Sequence, residues 1–367
     1  RIAMDAGPCV AGGNFDSHFE NPVDVYVSEN PPDMGSARMM RGDGESLSSI
    51  VSLSATTLTA SGGNLTVRSR GATTGAPPTV NYSLNVNSAV VGGPAPSTPS
   101  VISNTGAGTV TIDAQTTSHG SSFGSPSAFL LANSTISSAG GAISIAGGGG
   151  TSGFVEGATG VQLASGARVT SSGNISITGT MGNQATTNSR GLGIDSGASV
   201  TSTGGNVTLS GTYNNPSSTS GKGAVINGYV SSGTSGSISV TGSATVGGAS
   251  GTGVDIGPTA ALLAGTGGLT VTGSVSSATT ATAIVATTVQ GTSTSSGAIS
   301  ISGTVSAPSA ANATGVSLTS GSVSATGSAT VTITGSGVPG PAPASSYDVT
   351  LAGTTVSSAG GLVKFVG

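Results

Sequence analysis

One short motif returns along this chain at nearly constant spacing, and that return restricts the fold more than any other feature. Its clearest copy is Gly173-Asn174-Ile175-Ser176-Ile177-Thr178-Gly179-Thr180. In extended backbone successive side chains alternate, so Ile175 and Ile177 share one face and Ser176 takes the other. The first aliphatic residues of the copies are Leu65, Val110, Ile143, Ile175, Val207, Ile238, Leu269, Ile299, Val331 and Leu362. The intervals between them are 45, 33, 32, 32, 31, 31, 30, 32 and 31 residues. Ten copies at this spacing mark a repeat architecture, in which a unit buries its apolar face only by stacking on its neighbours.

Each repeat holds three short segments. Within Gly160–Thr180 these are Gly-Val-Gln-Leu-Ala-Ser-Gly, Ala-Arg-Val-Thr-Ser-Ser-Gly and Asn-Ile-Ser-Ile-Thr-Gly-Thr. The first recurs at Val254/Ile256, Val316/Leu318 and Val349/Leu351, the second at Val200, Val323 and Val356. A tail of variable length follows the third segment and collects prolines, among them Pro216, Pro308 and Pro339. Glycine and small residues close each segment and are read as turns, with glycine supplying positive φ at the corners.

These units predict an all-β fold: a right-handed parallel β-helix, or β-solenoid, of about ten coils of about 31 residues, covering 48–367. Equivalent strands of successive coils then lie about 4.8 Å apart, and the rod is on the order of 45 Å long. Ile175 stacks between Ile143 and Val207. The composition agrees. Hydrophobic residues make up 35% but aromatics only 3%, which suits a narrow lumen of Val, Ile, Leu and Ala. Outward positions that stack on their own kind disfavour like charges, and charged residues are 6% of the chain. A disordered Gly/Ser linker does not keep aliphatic residues in register, and a propeller blade needs four strands and more aromatic anchors.

Residues 1–47 are different. Eight of the 13 acidic residues lie there, with four of the five Met, His18 and the single Cys9. A strand is expected at Val23–Val27 and a helical turn near Met34–Met40. This non-repetitive acidic segment is expected to serve as a cap on the solenoid or as an assembly arm.

The repeat Gly-Val-Gln-Leu-Ala-Ser-Gly-Ala-Arg-Val-Thr-Ser-Ser-Gly-Asn-Ile-Ser-Ile-Thr-Gly-Thr resembles the repeats of filamentous-haemagglutinin-like exoproteins and autotransporter passengers of bacteria. The likeness covers roughly 58–367 and is one of composition and repeat style. It implies a parallel β-helix that is secreted or displayed on the cell surface. The primary expectation is therefore an extracellular structural solenoid, a filament subunit or rod segment that self-associates end-to-end or by strand donation. The alternative is an adhesin for host cells or glycans. A carbohydrate-active or tailspike-type β-helix is the third reading.

Chemistry is sparse. The solenoid carries only Asp113, Glu156, Asp195, Asp255 and Asp348, too scattered for paired-carboxylate acid–base work. Asp195 and Asp255 sit in similar contexts, but in non-adjacent coils and shifted register. No enzyme activity and no cofactor are expected. His18 and His119 lie too far apart to share a metal, and Asp43-Gly44-Glu45 lacks a full calcium-ligand spacing. Net charge is −4 with no basic stripe, so no nucleic-acid partner is expected, and no apolar run is long enough for membrane insertion as a helix. Two stretches remain as candidate sites. Arg41-Gly42-Asp43 resembles an integrin-binding tripeptide. Leu362, Val363 and Phe365 form a candidate assembly strand, in which the repeat spacing places Lys364 at an inward position.

Overall fold

A computed structural model describes residues 33–34, 38–40, 50–54, 57–71, 82–87, 99–116, 127–149, 157–182, 189–248, 250–276, 280–286, 291–293, 297–306, 312–326, 328–337 and 346–367. The chain folds as a β-solenoid. Among the described residues there is no helix, and hence none long and apolar enough to cross a membrane.

Three sheets run the length of the solenoid, one for each segment of the repeat. In one coil, Thr159–Leu163 belongs to sheet 1, Arg168–Ser171 to sheet 2 and Ile175–Met181 to sheet 3. Neighbours in each sheet are the equivalent strands of successive coils, and sheet 3 contains ten of them. Between equivalent strands of successive coils, pairing is parallel and advances residue for residue. Ile143 lies beside Ile175, Ile175 beside Val207, and Val207 beside Ile238. Ile175 is 1% exposed, whereas Ser176 faces outward. β-branched residues occupy these rungs because they fit a pleated surface buried on one side.

The corners are built differently from one another. Between sheets 1 and 2 the chain takes positive φ at Gly166 (+76°) and Gly197 (+82°), and at Asn133 (+46°) in the coil before them. Asn is the side-chain-bearing residue that best tolerates this region. Between sheets 2 and 3 a buried serine holds the bend. Ser171 Oγ donates to Gly141 O of the preceding coil (2.6 Å) and accepts from Gly173 N (2.9 Å). Ser202 repeats both bonds with Gly173 O and Gly205 N, each at 2.8 Å. Asn104 does the same for Gly63 O and Gly106 N. Each such group ties two coils and satisfies backbone that the turn leaves unpaired. Just beyond, Asn174 Oδ1 accepts from Asn206 N and Asn206 Oδ1 from Ser237 N, both at 2.8 Å.

The glycine that ends the motif is no turn. Gly179 lies inside the strand Ile175–Met181 and faces inward. Its equivalents Gly147, Gly211, Gly242, Gly273, Gly303 and Gly335 stack with it in one column. A methyl group at Gly179 would strike the carbonyl of Gly191 in sheet 1, and one at Gly211 would strike that of Gly223. Sheets 1 and 3 therefore touch backbone to backbone along this column, which is why side chains are missing there. The contact divides the interior. On one side lies the main core, with Ile175, Ile177, Val161 and Leu163. On the other lie two small clusters: Ala158, Met181, Tyr213 and Val246, then Ala244, Val275, Val305 and Ala313.

Two expectations need correction. The described residues of the stretch near Met34–Met40 are extended rather than in the helical turn expected. Asp33–Met34 pairs antiparallel with Thr57–Ala60 of sheet 2, and Arg38–Met40 pairs antiparallel with Ile50–Ser54 of sheet 1. Open strand edges present rows of unpaired N–H and C=O groups that recruit extended chain. The second correction is the register of the last motif. Val331 N donates to Leu362 O at 2.9 Å, the role that Asn174 O plays for Ile143 N. The strand Val363–Val366 thus sets Val363 beside Val331 and Phe365 beside Ile333, with Lys364 beside Thr332 on the outward face. Ser358 fixes this register by accepting from Gly361 N at 2.9 Å, and the slip spares the core a buried ammonium group. The stacked residue after Val331 is Val363, not Leu362.

Candidate functional site

The outward surface of each sheet follows from the same alternation that builds the core, and the three surfaces differ sharply. On sheet 3 the outward residues form files along the solenoid. The first file reads Ser176, Thr208, Ser239, Thr270, Ser300 and Thr332. The second reads Thr178, Ser210, Thr241, Thr272, Ser302 and Thr334, and the third Thr180, Thr212, Ser243, Ser274, Thr304 and Ser336. Three hydroxyl residues on each of six strands make eighteen. All are solvent-accessible. None has a hydrogen-bond partner among the described residues, in contrast to the outward pairs Thr59–Ser103 (3.1 Å) and Ser324–Ser357 (3.2 Å) on sheet 2. Toward one end the array gives way to Ser144, Ala146 and Gly148, with Asp113 and Gln115 one coil further, and toward the other it meets Lys364.

Sheet 1 carries two ion pairs. Arg190 Nη2 lies 2.9 Å from Asp195 Oδ1, and Arg190 Nε donates to Thr159 Oγ1 at 3.2 Å. Gln162 Nε2 donates to Asp195 Oδ2 and Ser127 Oγ donates to Gln162 Oε1, both at 2.9 Å. The guanidinium lies across Gly193, where a side chain would collide with it. One coil further, Lys222 Nζ meets Asp255 Oδ2 at 2.6 Å. Asp195 follows Ile194, whereas Asp255 precedes Ile256, and Ile194, Ile226 and Ile256 stand in register. The two carboxylates are thus offset and each holds its own cation. This network braces consecutive coils and keeps its polar groups mutually satisfied. Among the described residues no group of three His, Cys, Asp or Glu side chains converges for a metal.

Sheet 2 is continuous, but its outward chemistry is mixed. Its outward file Thr135, Arg168, Ser199, Tyr229, Ala261 mixes hydroxyl, cation, phenol and methyl.

The candidate assembly strand stands at one edge of sheet 3, with Ser346–Ala352 and Thr355–Ser358 at the matching edges of sheets 1 and 2. Leu362 is 63% exposed and Phe365 47%, while Val363 is packed against the main core. Tyr347 and Leu351 are exposed beside them. Arg41, Gly42 and Asp43 lie outside the described residues, as do Cys9, His18, His119, Glu156 and Val23–Val27.

Sequence reading missed the serine corners, the glycine column and the hydroxyl array. A signal for each was present: Ser-x-Gly or Ser-x-x-Gly before the third strand, Gly four residues after the first aliphatic in seven successive coils, and Ser or Thr at three successive outward positions.

Tyr213 is a buried titratable group on the inward face of sheet 3. Burial pushes its phenol above the ordinary value of 10.0, against hydrogen bonds to Ser218 and Asn215 that act the other way.

No family model matches the chain, and neither a curated protein nor a solved structure is significantly similar to it.

Proposed function

We propose that the protein is an extracellular structural solenoid, a rod segment or filament subunit of a surface or secreted bacterial protein. The observation that carries this reading is the uninterrupted one-to-one register of equivalent strands in all three sheets, which makes a stiff rod from a weakly charged sequence. The likeness of the repeats to those of filamentous-haemagglutinin-like exoproteins supports the extracellular setting. Residues 1–47 act as a cap in this reading. Their strands Asp33–Met34 and Arg38–Met40 blunt two sheet edges, and edge capping is how repeat proteins avoid uncontrolled stacking. Self-association then uses the opposite edges, where Leu362 and Phe365 are exposed.

Protease treatment of intact native cells and negative-stain electron microscopy of the purified chain test the proposal. It expects digestion from outside the cell, and straight rods that join end to end. Protein protected inside intact cells would refute the extracellular setting. Uniform short monomers at all concentrations would refute assembly. Binding of those monomers to host cells or immobilised glycans would favour the adhesin.

A further inference from the structure

The eighteen outward hydroxyls of sheet 3 form a lattice periodic in two directions. Successive coils repeat at about 4.8 Å, and alternate residues along a strand at about 6.7 Å. The array is thus roughly 24 Å along the solenoid and 13 Å across it. A single exposed hydroxyl gains little by exchanging a water partner for another polar group. An array has affinity only for a partner that repeats at matching intervals, so that many weak contacts form together.

We propose that this face binds the surface of ice. Ser and Thr hydroxyls both donate and accept, so they fit a lattice whose oxygens do the same. None of the eighteen positions carries a charge, Lys364 and Asp113 standing beyond the ends of the array, and charged side chains would hold hydration shells that resist incorporation into a crystal. The general demands of solenoid stacking do not explain this purity, because sheets 1 and 2 obey them while displaying Arg190, Lys222, Asp255, Arg168 and Tyr229. Among the described residues the hydroxyls have no hydrogen-bond partner, so none has to be released from one of these before binding. The backing is rigid as well. The glycine column lies between the second and third files and presses sheet 3 against the backbone of sheet 1, so little conformational entropy is lost on docking. A crystalline polysaccharide is the competing repeating surface. Sugar ring faces are gripped by aromatic side chains, and this face has none.

Ice-affinity partition and thermal hysteresis of the purified full chain test the inference. Thr241→Lys and Thr272→Lys place a cation in the middle file, and Thr201→Lys places one on sheet 2. The wild-type chain and Thr201→Lys should concentrate in slowly grown ice and reshape its crystals. Thr241→Lys and Thr272→Lys should fall to the level of a non-binding reference protein, with circular-dichroism melting unchanged. Exclusion of the wild-type chain from ice would overturn the proposal whether or not the variants fold. Full retention of ice binding by both array variants would also overturn it. Pull-down on crystalline cellulose without ice incorporation would reassign the face to a polysaccharide.

Discussion

A single rung shows how residue chemistry sets this structure. Ile175 is packed between Ile143 and Val207, and Ser176 beside it faces water. Ile175→Asp places a carboxylate among buried aliphatic side chains, at a cost of roughly 4 kcal/mol. Ser176→Ala should stay within about 0.5 kcal/mol of wild type. Urea unfolding, followed by hydrogen exchange at the amides of Ile143 and Val207, separates the two. Equal losses would mean that Ile175 does not face the core. Tyr213 gives a second test at this scale. Its phenol is held protonated in the folded state, while in the unfolded chain it ionises near 10.0. Its contribution is fully present below that pH, where both states are protonated. Above it the unfolded state sheds a proton that the folded state keeps, so stability falls as pH rises, by at most about 1.4 kcal/mol per pH unit. Tyr213→Phe should flatten the alkaline limb of the stability profile relative to wild type. An identical limb in both proteins would show that Tyr213 titrates normally.

At the scale of the strand, the inward-facing residues were legible and the contact between sheets was not. Alternation and a period near 31 residues identify Ile175, Val207 and Ile238 as stacked, because both signals are local and repeat. Gly179 recurs with the same period, but recurrence does not say what a glycine touches. A glycine in a turn and a glycine pressed against another backbone look alike in sequence, and here the partner carbonyl belongs to Gly191, one tail further along the chain. The same ambiguity concealed Ser171, whose two bonds reach the preceding coil and its own corner. Lys364 was misplaced because the motif spacing counts residues, whereas the Ser358–Gly361 corner sets where the strand starts. The strands at Asp33–Met34 and Arg38–Met40 belong to no periodic pattern and are extended through pairing with sheet edges. The glycine column makes its own prediction. Gly211→Ala drives a methyl group into the carbonyl of Gly223 and should cost about 3 kcal/mol, as overpacking against backbone does. Gly62→Ala meets nothing within 4 Å and should be near neutral. Comparable melting points for the two variants would remove the backbone-to-backbone contact from the account.

For the whole molecule, three sheets that share one coil-to-coil register give a rod whose faces serve different ends. Sheet 1 is braced by Arg190–Asp195 and Lys222–Asp255, sheet 2 is mixed, and sheet 3 presents hydroxyls with no partner among the described residues. Exposed ion pairs add little to stability, so the cohesion of the rod rests on the stacked aliphatic residues and the three ladders of backbone hydrogen bonds. All of this depends on the register. In a Cys9→Ser background, Thr178→Cys with Ser210→Cys puts thiols on adjacent coils, about 4.8 Å apart by strand spacing, and Thr178→Cys with Thr241→Cys puts them two coils apart, at about twice that distance. With a thiol-to-thiol cross-linker chosen to match the strand spacing of about 4.8 Å, the first pair should close within the monomer and the second should stay open. Closure of the second pair, or failure of both in folded protein, would contradict the stacked register on which the account rests.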